Sequence, residues 1–143
     1  MRVKLICLVS FVLVFGIAVD LTSALEVMIN FQSPEAETPE GYLPDIGEVF
    51  GYRGNGYSYG WDVDIQEDSR ERNVNTDQRY DTIVQFQEDG VAKTWEIELP
   101  NGSYELFIAC GDAQYDHQIN NIDVEGNILV DPDGRSNYDE YNV

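Results

Sequence analysis

The segment KTWEIELPNGSYELFIA, residues 93–109, decides which fold class the sequence predicts. Its first half, KTWEIEL, alternates apolar and polar side chains, and this period of two is typical of a β-strand with one buried face. A second apolar run begins at Tyr104. Asn101-Gly102, between the two runs, favours a tight type I′ turn. We therefore predict an antiparallel β-hairpin in which the two runs pair.

Short apolar runs bounded by Gly, Pro, Asn and Asp lie on both sides of this segment. We expect strands at residues 27–31 and 79–86. A second hairpin is predicted where residues 119–125 and 128–130 flank Gly126-Asn127. No long helical period is present after the N-terminal segment. The sequence therefore predicts an all-β sandwich or barrel.

Residues 1–24 have the pattern of a secretory signal peptide. Two basic residues precede an apolar run at 5–19, and small residues follow at 22–24. The run is shorter than the roughly 20 residues of a membrane-spanning helix. We predict cleavage after Ala24, with an uncleaved N-terminal anchor as the alternative. The domain is then 25–143, secreted to the exterior or the cell surface, with no membrane span.

The chain is strongly acidic, and this charge restricts the classes of partner that it can bind. The formal net charge is −19 over 143 residues. A surface this negative repels phosphate backbones, which argues against a nucleic-acid partner. It also disfavours anionic membranes and polyanionic sugars unless divalent cations intervene. After cleavage Cys110 is the one remaining cysteine, so no internal disulfide is expected.

The sequence lacks the usual marks of an enzyme. It has no nucleophile elbow, no phosphate-binding glycine loop and no zinc-protease motif. His117 is the only histidine. Paired carboxylates as in glycosidases are conceivable, but no pair stands out among so many acidic residues. We therefore expect no catalysis by this chain.

Two acidic stretches, 62–68 and 131–140, are candidates for a structural calcium site. Each places carboxylates at alternate positions, and the second contains a glycine that can bend the chain. Carboxylate oxygens are the hard ligands that calcium prefers. The candidate ligands are Asp131, Asp133 and Asp139. The alternative is that these are solvated loop charges.

The segment FGYRGNGYSYGWD, residues 50–62, concentrates aromatic residues among glycines. Aromatic faces stack on the apolar C–H faces of sugar rings, and neighbouring polar side chains bond the hydroxyls. Tyr57, Tyr59, Trp61 and Asn55 are therefore candidate ligand-binding residues. The tyrosine hydroxyls are expected to reach solvent. Packing into the core is the alternative, above all for Trp61 and for the phenylalanine that opens the segment.

Three segments resemble malectin-like and related galactose-binding-like carbohydrate-binding domains of secreted bacterial proteins. They are GYLPDIGEVFGYRGNGYSYGWD (41–62), WEIELPNGSYELFIACGD (95–112) and NNIDVEG (120–126). The resemblance runs from about residue 26 to the end. It implies a jelly-roll β-sandwich and non-catalytic carbohydrate binding at a loop-lined surface. It also adds Asp112 and Tyr115, in the loop after the second segment, to the candidate ligand-binding residues.

The resemblance has one clear departure. Such domains continue past the YDEY segment, residues 138–141, with two further strands, so we expect a C-terminally incomplete sandwich whose last strand begins near Tyr141 without a partner. Relatives of this type are commonly joined to a catalytic or surface domain. Two other functions therefore remain open beside carbohydrate binding. They are a structural or adhesion domain of a surface protein, and an accessory fragment of a polysaccharide-degrading enzyme.

Overall fold

The chain folds into β-strands that form three sheets. The computed structural model describes residues 2–6, 11–16, 25–87, 90–134 and 138–143, and these contain no α-helix, only two 3₁₀ turns. None of the described residues forms a helix long and apolar enough to cross a membrane. The strands are, in chain order, β1 Arg2–Ile6, β2 Phe11–Gly16, β3 Glu26–Phe31, β4 Leu43–Asp45, β5 Gly51–Tyr52, β6 Ser58–Trp61, β7 Ser69–Glu71, β8 Thr82–Val84, β9 Trp95–Glu98, β10 Tyr104–Gly111, β11 Ile122–Val124, β12 Asn127–Leu129 and β13 Tyr138–Asn142.

Two larger sheets face each other across one hydrophobic core. The first sheet has the order β12-β11-β1-β9-β6-β5 and the second β13-β10-β2-β3-β4, while β7 and β8 form a separate pair. Buried side chains from both larger sheets belong to a single apolar cluster. The ring of Phe31, in the second sheet, meets Trp61 and Trp95 of the first edge-on, with centroids 5.8 and 5.4 Å apart. This arrangement confirms the all-β class and is consistent with a β-sandwich.

The predicted hairpin at residues 93–109 is wrong, although both of its strands exist. β9 pairs with β1 and β6 in the first sheet, whereas β10 pairs with β2 and β13 in the second. Neither Asn101 nor Gly102 has a positive φ, so the type I′ turn is absent. β9 alternates buried and more exposed side chains, and Leu106, Ile108 and Cys110 of β10 belong to the core. Placing the two strands in opposite sheets lets each turn apolar side chains toward the shared core. Residues 99–103 therefore connect the two sheets.

The other strand predictions have mixed outcomes. The strand at 27–31 is confirmed as β3, and the hairpin of β11 and β12 is confirmed by their antiparallel pairing. Its turn lies one residue earlier than predicted, at Glu125 and Gly126, which have φ values of 51° and 89°. The strand predicted at 79–86 shrinks to β8, because a 3₁₀ turn occupies Gln78–Tyr80. The C-terminal β13 pairs with β10, so it does not lack a partner.

The N-terminal segment provides an inner strand to each larger sheet. β1 lies between β9 and β11, and β2 lies between β3 and β10, all antiparallel. Cleavage after Ala24 would remove both strands. The signal peptide stays a prediction. Its removal would leave the strands on either side of β1 and β2 with unpaired backbone N–H and C=O groups.

Asp45, at the end of β4, is a buried carboxylate in the core. Its Oδ1 accepts hydrogen bonds from Trp61 Nε1 at 2.7 Å and from the Gly47 amide at 2.9 Å, and its Oδ2 accepts one from Trp95 Nε1 at 2.8 Å. Burial raises the pKa of Asp45, and the donors act in the opposite direction. One side chain thus satisfies both buried indole N–H groups, which would otherwise be costly in an apolar interior.

The variant lacking residues 1–24 is expected to lose most of the stability of the full chain. A domain of this kind is stable by about 5–15 kcal/mol, and the deletion unpairs four neighbouring strands at once. Urea unfolding followed by tryptophan fluorescence compares the two proteins. An unchanged unfolding midpoint would show that β1 and β2 do not contribute to the fold. In that case the mass of the exported protein would report whether residues 1–24 are cleaved.

Replacing Asp45 by Asn is expected to lower the free energy of unfolding by about 2 kcal/mol or more. One of the two indole N–H donors would then face the amide NH₂, which cannot accept a hydrogen bond. Asp64→Asn is the matched control, since Asp64 is exposed and bonds only with the neighbouring Gln66 among the described residues. Urea denaturation measures both variants. Equal stabilities of the two variants would contradict the role assigned to Asp45.

Candidate functional site

A cavity of about 420 Å³ opens beside the β7–β8 pair. We call it the Arg72 cavity. Its lining is polar and contains one aromatic ring from tyrosine. The lining residues are Arg70, Arg72, Gln85, Gln87, Asp112, Tyr115, His117 and Gln118.

The strand period explains how the first half of the lining is assembled. Arg70 lies in β7 and Arg72 directly follows it, so both project from the same face of an extended segment. Gln85 and Gln87 follow β8 with the same spacing. β7 and β8 pair antiparallel, and the Gln85 amide donates to the Asp68 carbonyl at 3.0 Å. The arginines and glutamines therefore line one side of the cavity together.

The buried carboxylate of Asp81 holds the loop that follows Arg72. It accepts hydrogen bonds from three successive backbone amides, those of Asn73, Val74 and Asn75, at 2.7, 2.8 and 2.6 Å. The Arg72 amide also donates to the Asp81 carbonyl at 2.8 Å. These bonds fix the backbone at the point where the Arg72 side chain leaves it.

Arg72 and Asp112 form an ion pair at the base of the cavity. Arg72 Nε donates to Asp112 Oδ1 at 2.9 Å and Arg72 Nη2 donates to Oδ2, so the contact is bidentate. The Asp112 side chain has no solvent exposure and that of Arg72 has 13%. The Gln114 amide also donates to Asp112, at 2.9 Å. Removing one partner from such a pair leaves a buried charge, which typically costs about 3–5 kcal/mol.

Tyr115 is the aromatic face of the Arg72 cavity. The Arg72 guanidinium lies 5.2 Å from the centre of its ring, and the edge of His117 contacts it at a centroid distance of 5.8 Å. Tyr115 is still 46% exposed. It therefore offers ring surface to a ligand while Arg72 limits its orientation.

Two side-chain oxygens in the lining have no hydrogen-bond partner. Gln85 Oε1 and Gln118 Oε1 are both buried and accept no hydrogen bond in the structure. An unsatisfied buried acceptor costs about 1–3 kcal/mol. Both glutamines line the same cavity, so a donor-bearing ligand there can supply what the protein does not.

The structure places the predicted aromatic residues away from this cavity. Tyr59 and Trp61 are 1% and 0% exposed and belong to the core, so the expectation that the Tyr59 hydroxyl reaches solvent is wrong. That hydroxyl donates to the Pro44 carbonyl at 2.8 Å, and burial raises the pKa of Tyr59 to about 12. Gly60, between them, has φ 134°, and a Cβ there would lie 2.6 Å from the Glu48 carbonyl oxygen. The backbone is packed too closely here to admit a ligand.

The other two residues predicted in this segment maintain the loop. Tyr57 is half-buried and packs against the core. Asn55 Oδ1 accepts from the Tyr57 amide at 3.1 Å, and Asn55 Nδ2 donates to the Tyr59 hydroxyl at 3.0 Å. Neither residue lines the Arg72 cavity. Of the six ligand-binding residues predicted from sequence, the structure brings only Asp112 and Tyr115 into it.

Sequence reasoning missed the remaining lining residues, in particular Arg70, Arg72, Gln85 and Gln118. A signal was present, because RER at 70–72 and QFQ at 85–87 each repeat one polar residue type with the period of a strand. Recognising it as a site would have required knowing that the two segments pair. Residues 115–118 are distant from both segments in sequence and come close to them only in the folded chain.

The three aspartates predicted as calcium ligands do lie together. One carboxylate oxygen each of Asp131, Asp133 and Asp139 falls within 4.8 Å of the other two. Asp131 accepts hydrogen bonds from the amides of Asn120, Asp133 and Gly134, which lower its pKa. The other acidic stretch, 62–68, forms no such three-acid cluster in the part of the chain that the structure describes.

Asn120 adds a further oxygen beside the three aspartates. Its Nδ2 donates to Asp139 Oδ2 at 2.8 Å, in the interior, while its own Oδ1 is buried and without a hydrogen-bond partner. An amide oxygen is an ordinary calcium ligand. The group therefore offers carboxylate and amide oxygens in a donor set suited to calcium.

No protein-family model matches this chain, and no match is found among curated proteins or among solved structures.

Proposed function

We propose that this chain is a secreted, non-catalytic carbohydrate-binding module built on a jelly-roll β-sandwich of the galactose-binding-like type. The ligand is a polysaccharide or glycan, bound in the Arg72 cavity. The observation that carries the proposal is the pair of unsatisfied amide oxygens of Gln85 and Gln118 in a cavity that also exposes the Tyr115 ring. Sugars combine hydroxyl donors with apolar C–H faces, and these two features complement them.

The size and chemistry of the cavity suit this ligand class. Its volume of about 420 Å³ falls in the range of about 300–1,000 Å³ usual for small-ligand sites. Its planar side chains, the guanidinium of Arg72 and the amides of the glutamines, present fixed hydrogen-bonding groups. Fixed donors and acceptors limit the entropy lost when a ligand binds.

The lining also supports the absence of catalysis. Asp112 is the one carboxylate among the described residues that line the cavity, and both its oxygens accept bonds from Arg72. A glycosidase needs two carboxylates about 5–9 Å apart across the scissile bond. The chain is therefore proposed to bind sugar without cleaving it.

A structural or adhesion domain is the second candidate, and one observation favours it. Ile128 and Val130 are about 70% exposed, and Ile128 lies in β12, an edge strand of the first sheet. An exposed apolar edge is a ready site for pairing with another chain. This function predicts self-association or protein binding that is independent of the Arg72 cavity.

We further propose structural calcium at Asp131, Asp133 and Asp139, with Asn120 Oδ1 as an additional ligand. Asp131 and Asp133 lie before β13, Asp139 lies in β13 and Asn120 lies before β11, so the ion would tie these neighbouring segments together. It would also offset the mutual repulsion of the three carboxylates.

Replacing Tyr115 by Ala is expected to weaken glycan binding at least about fivefold, because an aromatic contact contributes about 1 kcal/mol. Tyr52→Ala is the matched control, since Tyr52 is exposed and lies outside the Arg72 cavity. A glycan panel identifies the ligand, and calorimetry then measures both variants after circular dichroism has verified their folding. The proposal fails if the folded wild type binds no glycan, or if the two variants bind equally well.

Calcium is expected to raise the melting temperature at fixed ionic strength. At a free concentration a hundred times the dissociation constant, binding to the folded state alone adds about 2.7 kcal/mol of stability. Asp133→Asn should abolish most of this gain, whereas Asp64→Asn should retain it. Identical melting temperatures with calcium and with chelator would indicate that the aspartates are only solvated charges.

A further inference from the structure

The Arg72 cavity collects positive charge in a chain that is otherwise strongly negative. Its lining contains two arginines against a single carboxylate. The whole chain has 27 acidic residues for 8 basic ones. Random placement on such a surface would surround a pocket with carboxylates. The positive charge of the lining therefore favours a ligand that carries negative charge.

The one carboxylate in the lining does not neutralise both arginines. Asp112 is engaged bidentately by Arg72, so these two charges cancel locally. Arg70 remains. Its Nη1 donates to the backbone carbonyls of Glu67 and Ser69, which are uncharged groups, and it forms no ion pair within the described residues.

These contacts orient Arg70 and leave it without an ion-pair partner among the described residues. The two carbonyls take up only Nη1, so Nε and Nη2 have no hydrogen-bond partner among the described residues. Nε–H and Nη2–H form the edge of a guanidinium that pairs with a carboxylate through two parallel hydrogen bonds. A side chain already held in place loses little conformational entropy on such binding.

We propose that the ligand of the Arg72 cavity is an acidic glycan, whose uronic-acid carboxylate binds to the guanidinium of Arg70. The inference rests on the proposed carbohydrate function and specifies its ligand class. The ligand's hydroxyl groups donate to Gln85 Oε1 and Gln118 Oε1, while Tyr115 contacts the ring. An inorganic anion does not fit this set, because it supplies acceptors and leaves the two amide oxygens unsatisfied.

The charge of the rest of the protein limits how acidic the glycan is. A net charge of −19 repels a densely charged polymer. At physiological salt this repulsion is screened beyond about 8 Å, so one carboxylate seated in the cavity interacts mainly with Arg70. The ligand therefore carries isolated uronic acids, either at a chain end or separated by neutral sugars.

The test compares two nearly isosteric ligands by calorimetry. They are a disaccharide with a terminal uronic acid and the same disaccharide as its methyl ester, which removes the charge and retains the hydroxyls. The acid is expected to bind about tenfold more tightly, equivalent to about 1.4 kcal/mol. Raising the salt concentration should weaken binding of the acid and leave that of the ester nearly unchanged.

Arg70→Gln should reduce the ratio of the two affinities to about 1. Arg79→Gln removes the same charge from a residue outside the cavity, which pairs with Asp77, and should preserve the ratio. Arg70→Lys keeps the charge without the bidentate geometry, so an intermediate ratio is expected. Thermal melts establish that each variant is folded.

The outcomes separate this inference from the proposed function. Equal binding of acid and ester by the wild type overturns the assignment of an acidic glycan and leaves carbohydrate binding in place. Retention of the tenfold ratio in Arg70→Gln overturns the role of Arg70. Binding of inorganic phosphate as tight as that of the acid overturns the assignment too, and failure to bind any glycan overturns both.

Discussion

The contact between the Asp45 carboxylate and the indoles of Trp61 and Trp95 is the constraint on which the rest of the structure depends. It brings together β4 of the second sheet and β6 and β9 of the first, so a single side chain fixes how the two sheets meet. A charge in this place is costly, and burial accordingly raises the pKa of Asp45. The folded-state pKa is raised, so this group's contribution to stability is complete below its unfolded pKa and declines as the pH rises through the raised value.

This buried contact also keeps aromatic side chains of the glycine-rich segment in the core. The aromatic segment at 50–62 supplies Tyr59 and Trp61 to the core, and their polar atoms bond to Pro44 and Asp45. They are thereby removed from the surface. Tyr115, in the loop after β10, remains exposed beside polar side chains and contacts Arg72 and His117. The binding site proposed for this chain therefore lies beside the β7–β8 pair and not in the glycine-rich segment.

Much of the fold followed from local patterns, and the errors came from long-range pairing. Alternation identified β9, short apolar runs identified β3 and β10, and Glu125-Gly126 supplied a real turn between β11 and β12. These apolar patterns could not show that β9 and β10 lie in opposite sheets, since a strand in either sheet turns an apolar face inward. Nor could the pattern show that β1 and β2 occupy inner positions, because an apolar run has the same pattern in a signal peptide and in a buried strand.

The candidate sites differed in how far they could be predicted from the sequence, for a similar reason. The cluster of Asp131, Asp133 and Asp139 could be predicted because these residues are close in sequence. Asp112 and Tyr115 came from the family resemblance alone. Arg70, Gln85 and Gln118 are separated by up to 48 positions, and only the pairing of β7 with β8 and the path of the 112–118 loop unite them. The exposure of Tyr59 was predicted wrongly, because a tyrosine beside glycine is compatible with a buried or an exposed environment.

Nuclear magnetic resonance of the side-chain amides tests the central claim, that sugar binds in the Arg72 cavity, most directly. In a titration with a uronic-acid disaccharide, the amide signals of Gln85, Gln87 and Gln118 should shift together and saturate, while those of Asn55 stay in place. Shifts confined to Asn55 and its neighbours in 50–62, with the three glutamine signals unmoved, would contradict the account.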